Sequence, residues 1–169
     1  MDRTYLIDQL ERHSGIFRAM FTGLEQEEIR WRPGEHKWCL LEILCHLYDE
    51  EREDFRSRLS HVLSTPDEPM PKIDPQAWVA ERKYIEQDYS TVLGKFLEER
   101  ANSVVWLRGL TDAPWDNAYM HPTVGPVSCD LLLTNWVAHD LHHIRQLNNT
   151  RYAYLAHNSK VPLDYAGTW

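Results

Sequence analysis

LLLTNWVAHDLHHIRQL, residues 131–147, carries the clearest helical signature of the chain. Its residues Leu132, Trp136, His139, His143 and Gln146 follow three- and four-residue steps, the spacing of one face of an α-helix. Two imidazoles therefore share a stripe with large apolar side chains, and such a stripe belongs against a core. A second stretch, WCLLEILCHLYDEE at 38–51, has the same character, with His46 beside the inward positions Leu40, Ile43, Leu44 and Leu47. Neutral imidazoles at i and i+4 can share one divalent cation, and a third from a facing helix completes a tripod. Structural zinc sites are usually closed by four protein ligands, so three histidines leave a position open for water or substrate.

Outward from these segments the chain reads as four amphipathic helices and two long connections. Leu6, Leu10, Phe17, Met20 or Phe21 and Leu24 predict a first helix from about Thr4 to Leu24, with His13 on its apolar stripe. EIRWRPGEHKW then carries Pro33 and Gly34 and reads as a structured connection. The second helix is expected from about Cys39 to Leu63, its acidic run from Asp49 to Asp54 a solvated face paired with Arg52, Arg56 and Arg58. Four prolines between Ser64 and Pro75 predict a crossing loop, which permits neighbouring helices to be non-sequential. A third helix spans about Gln76 to Leu110, its beginning open to being a separate turn. Ser128 is the expected N-cap of a fourth helix ending near Asn148, and Asn117 to Met120 could form a short hairpin. No segment alternates with a period of two for long. The fold class is therefore all-α, a four-helix bundle with long crossover loops and no significant sheet, in a single domain over residues 1–169.

A net charge of -8 and a pI near 5.5 argue against general nucleic-acid binding, which needs a basic patch. The opening MDRTYLIDQLERH carries charge throughout and lacks an apolar signal core, and no stretch approaches the length of a membrane span. Cys39, Cys45 and Cys129 form no CxxC pair and are an odd number, a poor disulfide framework, so a reducing cytoplasm is the expected location.

An HxxxH spacing is common by chance among nine histidines, and rivals exist. His142 competes with His143 as the partner of His139, but the stripe through Trp136 favours His143. His13 reads as a pocket wall, a hydrogen-bond donor behind the ligands, or a plain core histidine. Asp49 and Glu50, at i+3 and i+4 from His46, could orient an imidazole or hold a metal's water. Cys45 adjoins His46, but helix neighbours diverge by about 100°, so the two make no nucleophile pair. The chain has no GxSxG elbow, phosphate-cradling glycine loop, HExxH or paired ExxH.

With these residues in place, the chain resembles the DinB/YfiT-like family of metal-dependent helical bundles. The resemblance runs through the turn Trp31 to Trp38, EILCHLYDEE, the stretch Trp78 to Tyr84, HPTVG, and WVAHDLHHIRQL. It implies His46, His139 and His143 as the metal ligands and leaves His142 out. It also implies a homodimer holding one divalent ion, Zn or Ni first and Fe, Mn or Cu as further candidates, and a low-molecular-weight thiol as cofactor, since relatives include bacillithiol S-transferases and mycothiol-dependent isomerases. Two departures stand out: Cys39 occupies a position often held by a capping serine, and the additional C-terminal domain usual in the isomerases is absent from these residues.

The function expected is a metal-dependent enzyme, a thiol S-transferase or metal-assisted hydrolase acting on a small molecule, with no nucleic-acid or membrane partner. Its catalytic base is unassigned, with Asp49, Glu50, His13 and Trp136 as residues behind or beside the ligands. The competing expectation is a non-enzymatic metal-binding or structural bundle dimer of the stress-response kind.

Overall fold

A computed structural model describes residues 2–169. Asp2 caps α1 (Arg3–Phe21) by accepting from the Thr4 amide at 3.2 Å, and a short α2 (Gln26–Arg30) follows. α3 (Leu40–Asp49) passes without a break through a π-helical segment, Glu50–Arg56, into α4 (Ser57–Ser64). α5 (Pro75–Glu81) and a 3₁₀ turn at Tyr84–Glu86 precede α6 (Tyr89–Gly109). A hairpin of β1 (Ala118–His121) and β2 (Gly125–Ser128) leads into α7 (Cys129–Asn158).

Both α1 and the continuous α3–α4 rod pack against α6 and α7. α1 and the α3–α4 rod thus stand diagonally across the bundle, as do α6 and α7, an arrangement that the long 22–39 and 110–128 connections permit. No helix among the described residues is long and apolar enough to cross a membrane.

Three sequence expectations need adjustment. α7 runs ten residues past Asn148, because no glycine or proline interrupts it and its last turns are tied down: Arg151 pairs with Glu28 at 3.2 Å and Tyr154 packs edge-on against Trp31. The third helix is divided, since Lys83 adopts a left-handed backbone (φ 49°) and Asp88 then caps α6 afresh through the Thr91 amide. Pro75 is not the end of a loop but the first residue of α5, where a missing N–H costs nothing, and Asp74 caps it. The short hairpin left open at Asn117 to Met120 is present, over 118–128, registered Ala118 opposite Ser128 and His121 opposite Gly125, the last with φ 80°.

The start of α3 also explains how a cysteine serves where serine would be expected. Glu42 reaches back three residues and accepts from the Cys39 amide at 3.0 Å, while Arg32 holds its other oxygen at 2.7 Å. The carboxylate half of a capping box thus holds the helix start.

The core is two apolar clusters separated by a polar layer. One cluster gathers Phe17, Phe21, Leu44, Leu47, Phe96 and Leu147, and the other Leu10, Phe55, Leu59, Val104, Trp136 and Val137. Between them each rod contributes a buried polar side chain: His13 from α1, Glu51 from the π segment, Arg100 from α6 and Asp140 from α7. Arg100 is 1% exposed, and all five of its N–H groups are used. They reach both oxygens of Glu51 at 2.9 Å, both oxygens of Asp140 at 2.6 and 2.8 Å, and the Leu10 carbonyl at 3.2 Å. His13 donates from Nδ1 to Asp140 at 3.0 Å, and the Trp136 indole N–H donates to Glu51 at 3.0 Å.

Candidate metal centre

The three histidines meet at the edge of this polar layer. The i,i+4 geometry of α7 brings Nε2 of His139 and Nε2 of His143 to 3.0 Å from each other. His46 arrives from α3, its ring centroid 4.9 Å from His143 and 5.4 Å from His139. One nitrogen from each ring lies within 4.8 Å of the others. His46 and His143 are buried, and Phe55, stacked on Trp136, holds the His139 ring at a centroid distance of 5.0 Å.

Electrostatics keeps these rings neutral. Burial, reinforced by neighbouring imidazoles, pushes His46 down to about 3 and His139 further. Burial likewise takes His143 down to about 4. The nitrogens thus retain lone pairs at neutral pH. Gln146 settles which nitrogen of His143 is free: its Oε1 can only accept, so Nδ1 at 2.7 Å carries the proton and Nε2 carries the lone pair.

The donor set fits a divalent cation. Two ligands held 2.0–2.1 Å from one tetrahedral ion stand about 3.3 Å apart, close to the 3.0 Å between the two Nε2 atoms. Nδ1 of His46 is buried with no hydrogen-bond partner, and its nearest carboxyl, Oε1 of Glu50 at 3.9 Å, is likewise unpartnered. Two buried unsatisfied atoms facing each other are costly unless a ligand reorganises them.

The triad opens onto a cleft of about 400 Å³, lined also by His36, Lys37, Trp38, Gln76, His142 and Gln146. The Trp38 ring packs 4.9 Å from His46. His36 has a left-handed backbone (φ 58°), uncommon for a residue with a Cβ and concentrated where a site constrains the chain. His142 lines the cleft with its ring 5.3 Å from His143, but it is exposed and lies outside the three-nitrogen group.

The residues expected behind the ligands divide. Glu50 is beside His46, and burial, with Asp54 adding to it, pushes its carboxyl up to about 9, so it is a protonated acid at neutral pH. Asp49 does not face the cleft: it accepts from Tyr84 at 2.7 Å and from Arg52 and Arg82 at 2.7 and 2.9 Å. His13 is bound to Asp140 and lines no part of the cleft, and Trp136 acts through Phe55 rather than as a wall. The solvated acidic face is also corrected, because Asp49, Glu50 and Glu51 are all buried. Helices on several sides of the rod claim three successive positions, and the π segment, a feature frequent at functional sites, redirects the rod there.

Arg52 and Arg58 do form the expected pairs with Asp49 and Asp54, whereas Arg56 turns to Glu99. Sequence reasoning missed Arg100 and Asp140, although each sits among apolar residues at helical spacing, Phe96–Arg100–Val104 and Trp136–Asp140. Gln76 and Lys37 could not be found by periodicity, because loops and a second helix bring them to the cleft.

The cysteines supply no nucleophile. Burial pushes the Cys45 thiol up to about 12, and its sulfur points at the Tyr84 carbonyl, 3.8 Å away. Cys39 and Cys129 are buried and free as well.

Comparison with known proteins places the fold. Residues 9–147 match the sequence profile of the DinB superfamily. No curated protein matches the chain by sequence. Among solved structures the chain is similar to YfiT from Bacillus subtilis, described as a probable metal-dependent hydrolase with an unusual four-helix bundle topology. The two superpose with a TM-score of 0.77 over 88% of this chain and 85% of that one, at 20% identity, a likeness of fold. The chain belongs to the DinB superfamily.

Proposed function

We propose that this DinB-superfamily protein is a metal-dependent enzyme acting on a small molecule, with His46, His139 and His143 holding one divalent cation. The observation that carries the reading is the convergence of three neutral imidazoles, two buried and that of His139 half-buried, one nitrogen each within 4.8 Å, at the wall of an open cleft. An all-imidazole set suits zinc, nickel, copper and iron alike, and the family likeness puts zinc or nickel first, with iron, manganese and copper as further candidates. A divalent ion there supplies Lewis acidity and a more acidic bound nucleophile.

The chain's own residues define the rest. Gln146 orients His143 and fixes its tautomer. Phe55 and Trp38 hold the rings of His139 and His46 and keep water from their flanks. With every cysteine buried, the attacking group comes from outside the protein, as water or a small thiol. Hydrolysis and thiol S-transfer are therefore the two reactions the site serves, and a low-molecular-weight thiol is the co-substrate of the second. Among the described lining residues only imidazoles and Lys37 can exchange a proton, which makes His36 and His142 the groups to carry it. Three free cysteines accord with a reducing cytoplasm, and homodimerisation is part of the proposal.

Zinc- and nickel-loaded protein assayed against activated esters, and against thiol addition to a small electrophile, tests this. Turnover that disappears on chelation and in His143→Ala supports it. Equal rates from loaded wild type and His143→Ala contradict it.

A further inference from the structure

The lining of the cleft has a charge character opposite to that of the chain. The protein carries 26 acidic residues against 18 lysines and arginines. None of the nine residues lining the cleft is a carboxylate, whereas Lys37 is among them. Glu35 is not among the lining residues; it pairs with His36 at 3.4 Å on the exposed rim.

Hydrogen-bonding capacity is biased the same way. Oε1 of Gln146 is committed to His143 at 2.7 Å, so the part of that amide left for a ligand is its NH₂. Lys37 offers N–H groups and no acceptor. Its backbone is fixed at both ends: the amide donates to the Gly34 carbonyl at 3.2 Å and the carbonyl accepts from Arg32 at 3.2 Å. The left-handed His36 lies within this turn, so the loop is a built rim rather than a loose strap. Trp38, half-buried on His46, offers an apolar wall in the same space.

Three neutral imidazoles leave a divalent ion its full double charge, and no lining carboxylate offsets it. We infer that the cleft selects small organic acids, the carboxylate drawn between the open metal position and Lys37 and the apolar body lying on Trp38. A volume of about 400 Å³ limits the ligand to a compact molecule. The inference rests on the metal reading for one of its two charges and on the lining for the other.

Phenylacetate and its neutral counterpart phenylacetamide serve as probes, titrated calorimetrically into zinc-loaded and metal-free protein. The acid is expected to bind zinc-loaded wild type about tenfold more tightly than the amide, the scale of a charge-assisted hydrogen bond. Lys37→Glu should cut that preference about fivefold at unchanged zinc content, and Lys37→Arg should preserve it. Equal binding of acid and amide, or a preference untouched by Lys37→Glu, overturns the inference. Should wild type hold no zinc, the metal reading fails separately; a Lys37-dependent preference in metal-free protein then still supports selection of acids, and its absence overturns it.

Discussion

Gln146 accepts a hydrogen bond from Nδ1 of His143 at 2.7 Å, and this contact presents the Nε2 lone pair to His139 and His46. Partners of this kind typically contribute 10–100-fold to metal affinity. Gln146→Ala is therefore expected to weaken zinc binding by about 10–100-fold while leaving the fold intact, as read by competition with a chromophoric chelator. Gln146→Glu, which keeps the acceptor, should retain most of the affinity. Unchanged affinity in the alanine variant would remove Gln146 from the site.

Arg100 ties together Glu51 and Asp140 inside the bundle. Burial alone would raise the Asp140 carboxyl, and the Arg100 charge overrides it and holds that carboxyl below its ordinary range. Arg100→Ala strands two carboxylates in the core and should lower unfolding free energy by about 3–5 kcal/mol in denaturant titration. A loss under about 1 kcal/mol would mean that water reaches this layer.

Glu50 and Glu51 are consecutive and both buried, yet they should respond oppositely to amidation. Glu50 is a protonated acid already, so Glu50→Gln should change stability by less than about 1 kcal/mol. Glu51→Gln, by contrast, removes the charge facing two Arg100 nitrogens and should be clearly destabilising. Equal losses in the two variants would contradict this assignment.

The metal-free protein should lose stability on mild acidification. The triad imidazoles have folded-state pKa values below the ordinary 6.5, so the unfolded chain takes up protons first. Their contribution is complete above about pH 6.5 and falls as pH drops toward the folded values, about 4 for His143, by roughly 1.4 kcal/mol per pH unit for each imidazole. Melting curves of chelated protein between pH 7 and pH 5 measure this, and a flat profile would show the rings already hydrated.

Much of this was legible in the chain. The stripe from Leu132 to Gln146 places His139 and His143 inward, and the structure brings them together with His46 as expected. Helix periodicity could not show that Glu51, Arg100 and Asp140 form one layer, because Glu51 reads as part of an acidic run, Arg100 and Asp140 read alone as interruptions of an apolar face, and only the packing of four rods pairs their charges. Nor could it expose the π segment at Glu50–Arg56. The acidic run therefore looked solvated. Asp49 was misplaced for the same reason: its direction depends on Tyr84 and Arg82, more than thirty residues away.

In the proposed site three imidazoles hold one ion. Metal content per chain, measured by mass spectrometry on protein purified without chelators or immobilised metal, tests it most directly in wild type, His46→Ala, His139→Ala and His143→Ala. One divalent ion per wild-type chain is expected, and its loss from each of the three variants. Equal metal in wild type and variants, or none in a folded wild type offered zinc or nickel, would contradict it.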